Sequence, residues 1–259
     1  MKTALITGAS SGFGAEFAKE FAKDKHNLIL VARGVDKMNA LAETIRNQYN
    51  VDVKVTGKDL SKTEDVKALY DELQQQNIHI DYLVNNAGFG DFGFFHESDW
   101  SKQEQMINVN ITALTYLTRL FVPLMIKNGY GKVLNVASSA AFQPGPTMSV
   151  YYATKAFVLS FSEAISNELN GTGVTVTCLC PGAAESGFQS AAAMEESKLV
   201  KGKKLPTSAE IAAFGYKHMM KGSLTVIPGF MNNIMAQSIR FTPRKLVLKI
   251  VRMMQDRAN

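Results

Sequence analysis

Thr3-Ala4-Leu5-Ile6-Thr7-Gly8-Ala9-Ser10-Ser11-Gly12-Phe13-Gly14 decides how the rest of this chain is read. The short apolar run 3–7 predicts a buried strand. It ends in glycines at 8, 12 and 14, and a helical pattern over 12–24 follows. Such glycines permit a tight turn and a close approach of backbone to a ligand, and amides at a helix start can hold a pyrophosphate. By itself the turn is also an ordinary strand-to-helix connection. Between the first strand and first helix of an alternating chain it points to a dinucleotide site, built from Gly8, Ser10, Ser11, Gly12, Phe13 and Gly14.

The chain does alternate. Strands are expected at 3–7, 28–32, 51–56, 82–85, 132–137, 173–180 and 223–227. Helical patterns lie at 12–24, 36–49, 62–76, 99–128, 151–170 and 208–221. This order predicts an α/β fold: one doubly wound, Rossmann-type domain over 1–259, with a parallel sheet of about seven strands and helices on both faces. No linker, repeat or low-complexity tract divides it.

The second strand ends Leu30-Val31-Ala32-Arg33-Gly34. A carboxylate at such an end accepts hydrogen bonds from the adenosine ribose of NAD, but an arginine pairs with a 2′-phosphate. Arg33, with Ser10 and Ser11, therefore favours NADP(H) over NAD(H); the competing reading is a surface arginine. Asp59 and Leu60 follow the third strand, where they can contact adenine. Alternatively, Asp59 caps the helix starting near Ser61.

Of the 259 residues, 46% are hydrophobic, enough for a large core. No run of about 18 apolar residues predicts a membrane span, and the residues before the glycine turn are too few for a signal peptide. Cys178 and Cys180, two apart in a strand, share a face and read as small core residues of a reducing compartment; a cytoplasmic protein is expected. His26, His79, His96 and His218 lack metal-ligand spacing and read as surface residues, so no metal is expected. The net charge of +5 is confined to the last twenty residues, where Arg240, Arg244, Lys245, Lys249, Arg252 and Arg257 oppose only Asp256. The remainder is neutral, which does not argue for a nucleic-acid groove across the domain, and no nucleic-acid partner is expected.

Tyr151 and Lys155 stand four apart in a helical pattern, on one face. A tyrosine hydroxyl titrates near ~10, and a neighbouring ammonium lowers that value. The pair suits proton transfer near neutral pH, although this spacing alone occurs in many helices.

Taken together the motifs resemble the short-chain dehydrogenase/reductase family over nearly the whole chain. They are Thr7-Gly8-Ala9-Ser10-Ser11-Gly12-Phe13-Gly14, then Asn85-Asn86-Ala87-Gly88, Asn110, Ser138, Tyr151-x-x-x-Lys155 and Pro181-Gly182, in the family's order and spacing. The resemblance implies a carbonyl/alcohol oxidoreductase using a nicotinamide dinucleotide, running toward reduction with NADPH. Tyr151 is the implied proton donor and acceptor, and Ser138 holds the substrate oxygen. Lys155 lowers the Tyr151 pKa and binds the nicotinamide ribose. Asn110 positions a water linking Lys155 to solvent, through its backbone or side chain. Asn86, Ala87, Gly88, Pro181, Gly182, Ala184 and Ser186 border the cofactor, with Glu185 unusual for the family. Family spacing selects Tyr151 over Tyr152, Ser138 over Ser139 and Asn110 over Asn108. Two rivals are a dinucleotide-binding regulator without turnover and an epimerase or lyase on the same fold.

The resemblance further implies a substrate lid over 183–206, including Ala191-Ala192-Ala193-Met194. Segments 89–95 and 140–150 complete the pocket. Phe92, Phe94, Phe95, Phe142, Met148 and Phe188 suggest a lipophilic ketone, aldehyde, steroid or acyl substrate; these aromatics can equally cover core or subunit contacts. Homodimers or homotetramers through 99–128 and 151–170 are implied. The segment 230–257 extends beyond the shortest family members, with helices at 234–240 and after Thr242-Pro243, Thr as cap and Pro in the first turn. Leu246, Val247, Ile250, Met253 and Met254 form the expected apolar face, and Lys245, Lys249 and Arg252 another. This basic amphipathic helix either packs on protein or lies at a membrane surface.

Overall fold

Apolar runs buried on both sides form the centre of the molecule. In the computed structural model, which describes residues 1–188 and 204–255, they become β1 (Thr3–Thr7), β2 (Asn27–Ala32), β3 (Val53–Gly57), β4 (Tyr82–Asn85), β5 (Gly131–Val136), β6 (Val174–Leu179) and β7 (Thr225–Val226). All pair in parallel, in the order β3-β2-β1-β4-β5-β6-β7. The doubly wound fold is therefore present. Only β7 is much shorter than expected, retaining two residues that pair with Cys178 and Leu179.

Successive strand residues feed opposite layers. Ala4 and Ile6 pack with Phe17 and Phe21 of α1 (Gly12–Lys23), Met38 and Ile45 of α2 (Val35–Tyr49), and Ile211 and Met219. Leu5 faces the other way, toward Leu69 and Leu73 of α3 (Thr63–Gln75) and toward Leu117, Phe121 and Met125.

The expected single helix at 99–128 is interrupted. It comprises α4 (Trp100–Ile107), a π-helical turn (Asn108–Ala113) and α5 (Leu114–Lys127). A π turn bonds i to i+5 and inserts a residue into the spiral, which apolar periodicity does not announce. By length and composition the run Trp100–Lys127 could cross a bilayer. Its Leu114, Leu117, Phe121 and Met125 are instead buried in the molecule. Next come α6 (Ser149–Glu168), α7 (Ser208–Lys221), α8 (Phe230–Ser238) and α9 (Arg244–Gln255). Thr207 and Glu210 form a capping box at α7, and Gly222 ends it in the left-handed region. Thr242 does not cap α9; its hydroxyl donates back to the Ser238 carbonyl. Helix α8 starts four residues before the expected 234, and residues 256–257 of the predicted extension lie outside the described residues.

A buried polar chain crosses the sheet beneath these layers. Asn85 Nδ2 donates to Asn135 Oδ1 at 2.9 Å and to Thr118 Oγ1 at 3.1 Å. Asn135 Nδ2 donates to Ser162 Oγ at 2.9 Å, and Ser162 to the Val158 carbonyl. The chain ties β4 and β5 to α5 and α6. Replacing Asn135 removes both of its side-chain bonds and leaves Asn85 and Ser162 without them. Asn135→Ala is expected to cost about 1–3 kcal/mol, read as a lower urea midpoint with an unchanged slope.

Candidate active site

Where the strand order reverses, β1 and β4 lie side by side and their following loops diverge. Thr7 and Asn86 hold this point. Thr7 Oγ1 accepts from the Asn86 and Ala87 amides, both at 2.9 Å, and donates to the Val84 carbonyl. Asn86 Nδ2 donates to the Thr7 carbonyl at 2.9 Å and to that of Gly8 at 3.3 Å. A Cβ at Gly14 would lie 2.3 Å from the Gly8 carbonyl oxygen, and one at Gly8 2.9 Å from Ala87 Cα. The glycines thus bring three backbone segments together. Ser11 precedes α1 without a side-chain cap bond, so the first-turn amides of that helix have no capping side chain.

A cavity of about 910 Å³ runs from this turn across the carboxyl ends of the strands. Gly8, Ser10, Ser11, Gly12 and Phe13 line its first end, with Arg33, Asp59 and Leu60 beside them. Asn86, Ala87 and Gly88 border its middle, and Ser138, Tyr151, Lys155, Pro181, Gly182, Ala184 and Ser186 close the far half. Gly14 and Asn110 stand behind the wall rather than in it. The cradle fits a dinucleotide: it is long, backbone-lined at the glycine turn and cationic at the Arg33 end.

Asp59 does not cap α3, which begins at Thr63. Its carboxylate accepts from the Ser61 amide and hydroxyl. Burial pushes that carboxyl up, but the Ser61 bonds and the charges of Arg33 and Lys62 hold it below its ordinary value. Lys58 was absent from the sequence reading and also lines this end, paired with Glu72. Its position directly before Asp59 was the available signal.

Ser138 ends the extended backbone after β5 and accepts from the Ala140 amide at 3.1 Å. Tyr151 and Lys155 face the cavity from the first turns of α6. The Lys155 ammonium donates to the Val136 carbonyl at 2.8 Å and sits 5.7 Å from the Tyr151 ring centroid. The expected depression of the Tyr151 pKa is not present in this state. Burial pushes the phenol well above its ordinary value, opposed by a hydrogen bond with Ser138. Lys155 is itself desolvated; burial lowers it from 10.5 to about 8, against the opposing influence of the buried Cys178 and Cys180 thiols. Those thiols share one side of β6, with sulfurs 3.7 Å apart.

Asn110, in the π turn, spends its side chain on structure. Oδ1 accepts from the Phe89 amide, and Nδ2 donates to the Phe89 carbonyl and Thr154 Oγ1. Tyr152 is likewise committed: its hydroxyl accepts from Gln255 Nε2 at 2.6 Å. Burial pushes Tyr152 up to about 12, with the Gln255 bond opposing.

Apolar side chains line the far half, though not all the aromatics expected. Phe89, Met148 and Phe188 line it, and the Phe188 ring lies 5.2 Å from that of Tyr151. Phe94 and Phe95 are exposed, Phe92 packs behind the wall, and Phe142 lines a neighbouring groove. Glu185 stands outside the cavity, its amide bonded to the Pro206 carbonyl, whereas Ser186 faces in. Residues 189–203 of the predicted lid lie outside the described residues. Val247, Ile250, Val251 and Met254 supply a wall from α9 that the sequence reading did not assign. Among the described residues no cluster of three or more metal-ligating side chains occurs. His79 and His96 are exposed, but His26 and His218 are half-buried against Tyr82 and Phe214 rather than at the surface.

The buried lysine has a measurable cost. Between about 8 and 10.5 the unfolded chain binds more protons at this position than the folded one, so stability rises with pH across that window. The penalty is complete below pH 8. Lys155→Met is expected to raise stability at neutral pH by up to about 3 kcal/mol. That gain should vanish as pH approaches 10.5, which thermal melts across the range would show.

The family model for short chain dehydrogenases matches residues 2–197. An 11-beta-hydroxysteroid dehydrogenase of Pinus massoniana is 34% identical over 229 residues, 88% of this chain, and the chain spans 64% of that relative's length. A short-chain dehydrogenase from Sphingobium yanoikuyae, solved in complex with NADPH, superposes with a TM-score of 0.84 at 31% identity, covering 95% of both chains. A bulky-bulky ketone specific alcohol dehydrogenase from Comamonas testosteroni gives 0.80 at 30%, covering 93% of both. With the glycine turn, Ser138, Tyr151 and Lys155 on one cavity, the chain belongs to the short-chain dehydrogenase/reductase family of oxidoreductases.

Proposed function

We propose that this protein is an NADP(H)-dependent oxidoreductase that interconverts a carbonyl and an alcohol on a lipophilic substrate. The observation that carries the reading is the convergence of Ser138, Tyr151 and Lys155 on a cavity continuous with the glycine turn. The α1 amides and the turn at Gly8–Gly14 would hold the pyrophosphate. Arg33, Ser10 and Lys58 would receive a 2′-phosphate, and no carboxylate stands at the end of β2 to repel it. Lys155 would bind the nicotinamide ribose. The bound dinucleotide supplies the hydride donor or acceptor, and its oxidised ring adds positive charge to the site.

The remaining chemistry belongs to the chain. Ser138 donates to the substrate oxygen and stabilises alkoxide character. Tyr151, kept protonated by burial, gives its proton to that oxygen during reduction and takes it back during oxidation. Lys155 remains as an ammonium below about pH 8 and can replenish the phenol. Asn110 positions rather than relays: its side-chain bonds pin the loop after β4 to α6, so a proton route past it uses the π-turn backbone. Apolar lining from Phe89, Met148, Phe188 and α9 favours a bulky ketone or aldehyde. We further propose self-association through the faces of α4–α5 and α6, where the exposed Trp100 and the stacked Phe157 and Phe161 support it, and a cytoplasmic location.

Tyr151→Phe is expected to retain NADPH binding, seen by fluorescence titration, while hydride transfer to a carbonyl panel falls by about 10²-fold or more. Unchanged turnover would remove the mechanism. Arg33→Ala is expected to weaken NADPH by roughly tenfold or more and NADH little, since one charge-assisted bond to phosphate is worth about 1.5–3 kcal/mol. Equal losses for both cofactors would place phosphate recognition elsewhere.

A further inference from the structure

Helix α9 carries three stripes, although a helix that only closes a pocket needs two. Val247, Val251 and Gln255, spaced by four, form the buried seam, at 6%, 8% and 1% exposure. Leu246, Ile250 and Met253 form a second apolar stripe that remains 48%, 40% and 61% exposed. Lys245 and Lys249, both exposed, form the third, and Arg252 beside them lies 4.9 Å over the Phe94 ring. At about 100° per residue the exposed apolar stripe lies roughly a quarter-turn from the cations. The preceding segment continues the pattern, with Phe230, Met231, Ile234 and Phe241 exposed. Of the 17 exposed large apolar side chains among the described residues, nine fall between 230 and 253. That segment also contains Arg240, Arg244, Lys245, Lys249 and Arg252 and no Asp or Glu.

We infer that this face docks the protein on an anionic lipid surface, with the exposed apolar side chains at the acyl boundary and the cations among the headgroups. Charge complementarity selects this occupant. A second copy meeting the same face across a two-fold axis would oppose cations to cations, with no carboxylate in the segment to pair them. Isolated cations alone would suit any polyanion, but the apolar stripe beside them requires a partner with a non-polar layer. Met235 and Ile250 are exposed and also line the cavity, so its mouth opens on this face. Resting on the reading proposed above, a lipophilic substrate would pass between bilayer and Tyr151 without crossing water.

Full-length protein would be co-sedimented with phosphatidylcholine vesicles, with and without phosphatidylglycerol. Binding is expected only with the anionic lipid, weakening as salt is raised. Lys245→Glu/Lys249→Glu and Leu246→Gln/Met253→Gln should each reduce it by about tenfold or more. None of these four side chains lines the cavity, so NADPH binding should not change; the docking is thereby separated from the catalytic reading. Recovery of wild-type protein in the supernatant with both vesicle types would overturn the inference. So would undiminished binding of the charge-reversed variant. A dimer that dissociates in Leu246→Gln/Met253→Gln, by sedimentation equilibrium, would reassign the face to a subunit contact.

Discussion

Hydrogen bonds between Thr7 and the Asn86–Ala87 segment hold the one point from which the rest of the molecule is organised. They lock the carboxyl ends of β1 and β4 together where the strand order reverses. The glycine turn can then lie against Asn86 and Ala87 with no room for a Cβ at Gly8 or Gly14. That tight backbone packing leaves the amide end of α1 facing the cleft, and the same cleft continues to Ser138, Tyr151 and Lys155. The glycine turn and the Ser138, Tyr151 and Lys155 group therefore share one cavity because two adjacent strands end together.

The far half of the cavity holds an unfavourable charge. Lys155 is buried and donates to one backbone carbonyl, while the phenol beside it is pushed toward its neutral form. Proximity alone suggests that the ammonium should lower the tyrosine. Desolvation dominates both groups, opposed at Tyr151 by the Ser138 hydrogen bond and at Lys155 by the Cys178 and Cys180 thiols. A buried cation beside a neutral phenol is a poor arrangement for stability below about pH 8.

The C-terminal segment has two faces with different tasks. Its buried seam finishes one wall of the cavity and is fastened by Gln255 to Tyr152. Its outer stripe exposes Leu246 and Met253 beside Lys245 and Lys249, while Ile250 at the edge also lines the cavity. A single helix of twelve residues can serve both sides because 3.6 residues per turn separates three stripes without conflict.

The sequence alone was sufficient for the alternation of strands and helices, the parallel order it implies, the glycine turn and the four-residue step from Tyr151 to Lys155. These are local signals: a buried strand is a short apolar run, and a helix face repeats every three to four residues. Arg33, Ser138 and Ser186 were equally legible, since each sits at the end of a strand or just beyond it. Tertiary structure decided the rest. The π turn at Asn108–Ala113 leaves no mark in apolar periodicity, yet Asn110 makes its bonds to Phe89 and Thr154 from within it. Phe94 and Phe95 face solvent while Val251 and Gln255 face the interior, because burial depends on what packs against a side chain and not on its hydrophobicity. The Asn85–Asn135–Ser162 chain, the Gln255–Tyr152 bond and the raised Tyr151 pKa all join residues remote in sequence. Desolvation and long-range hydrogen bonds are properties of the assembled environment, and only the folded chain creates it.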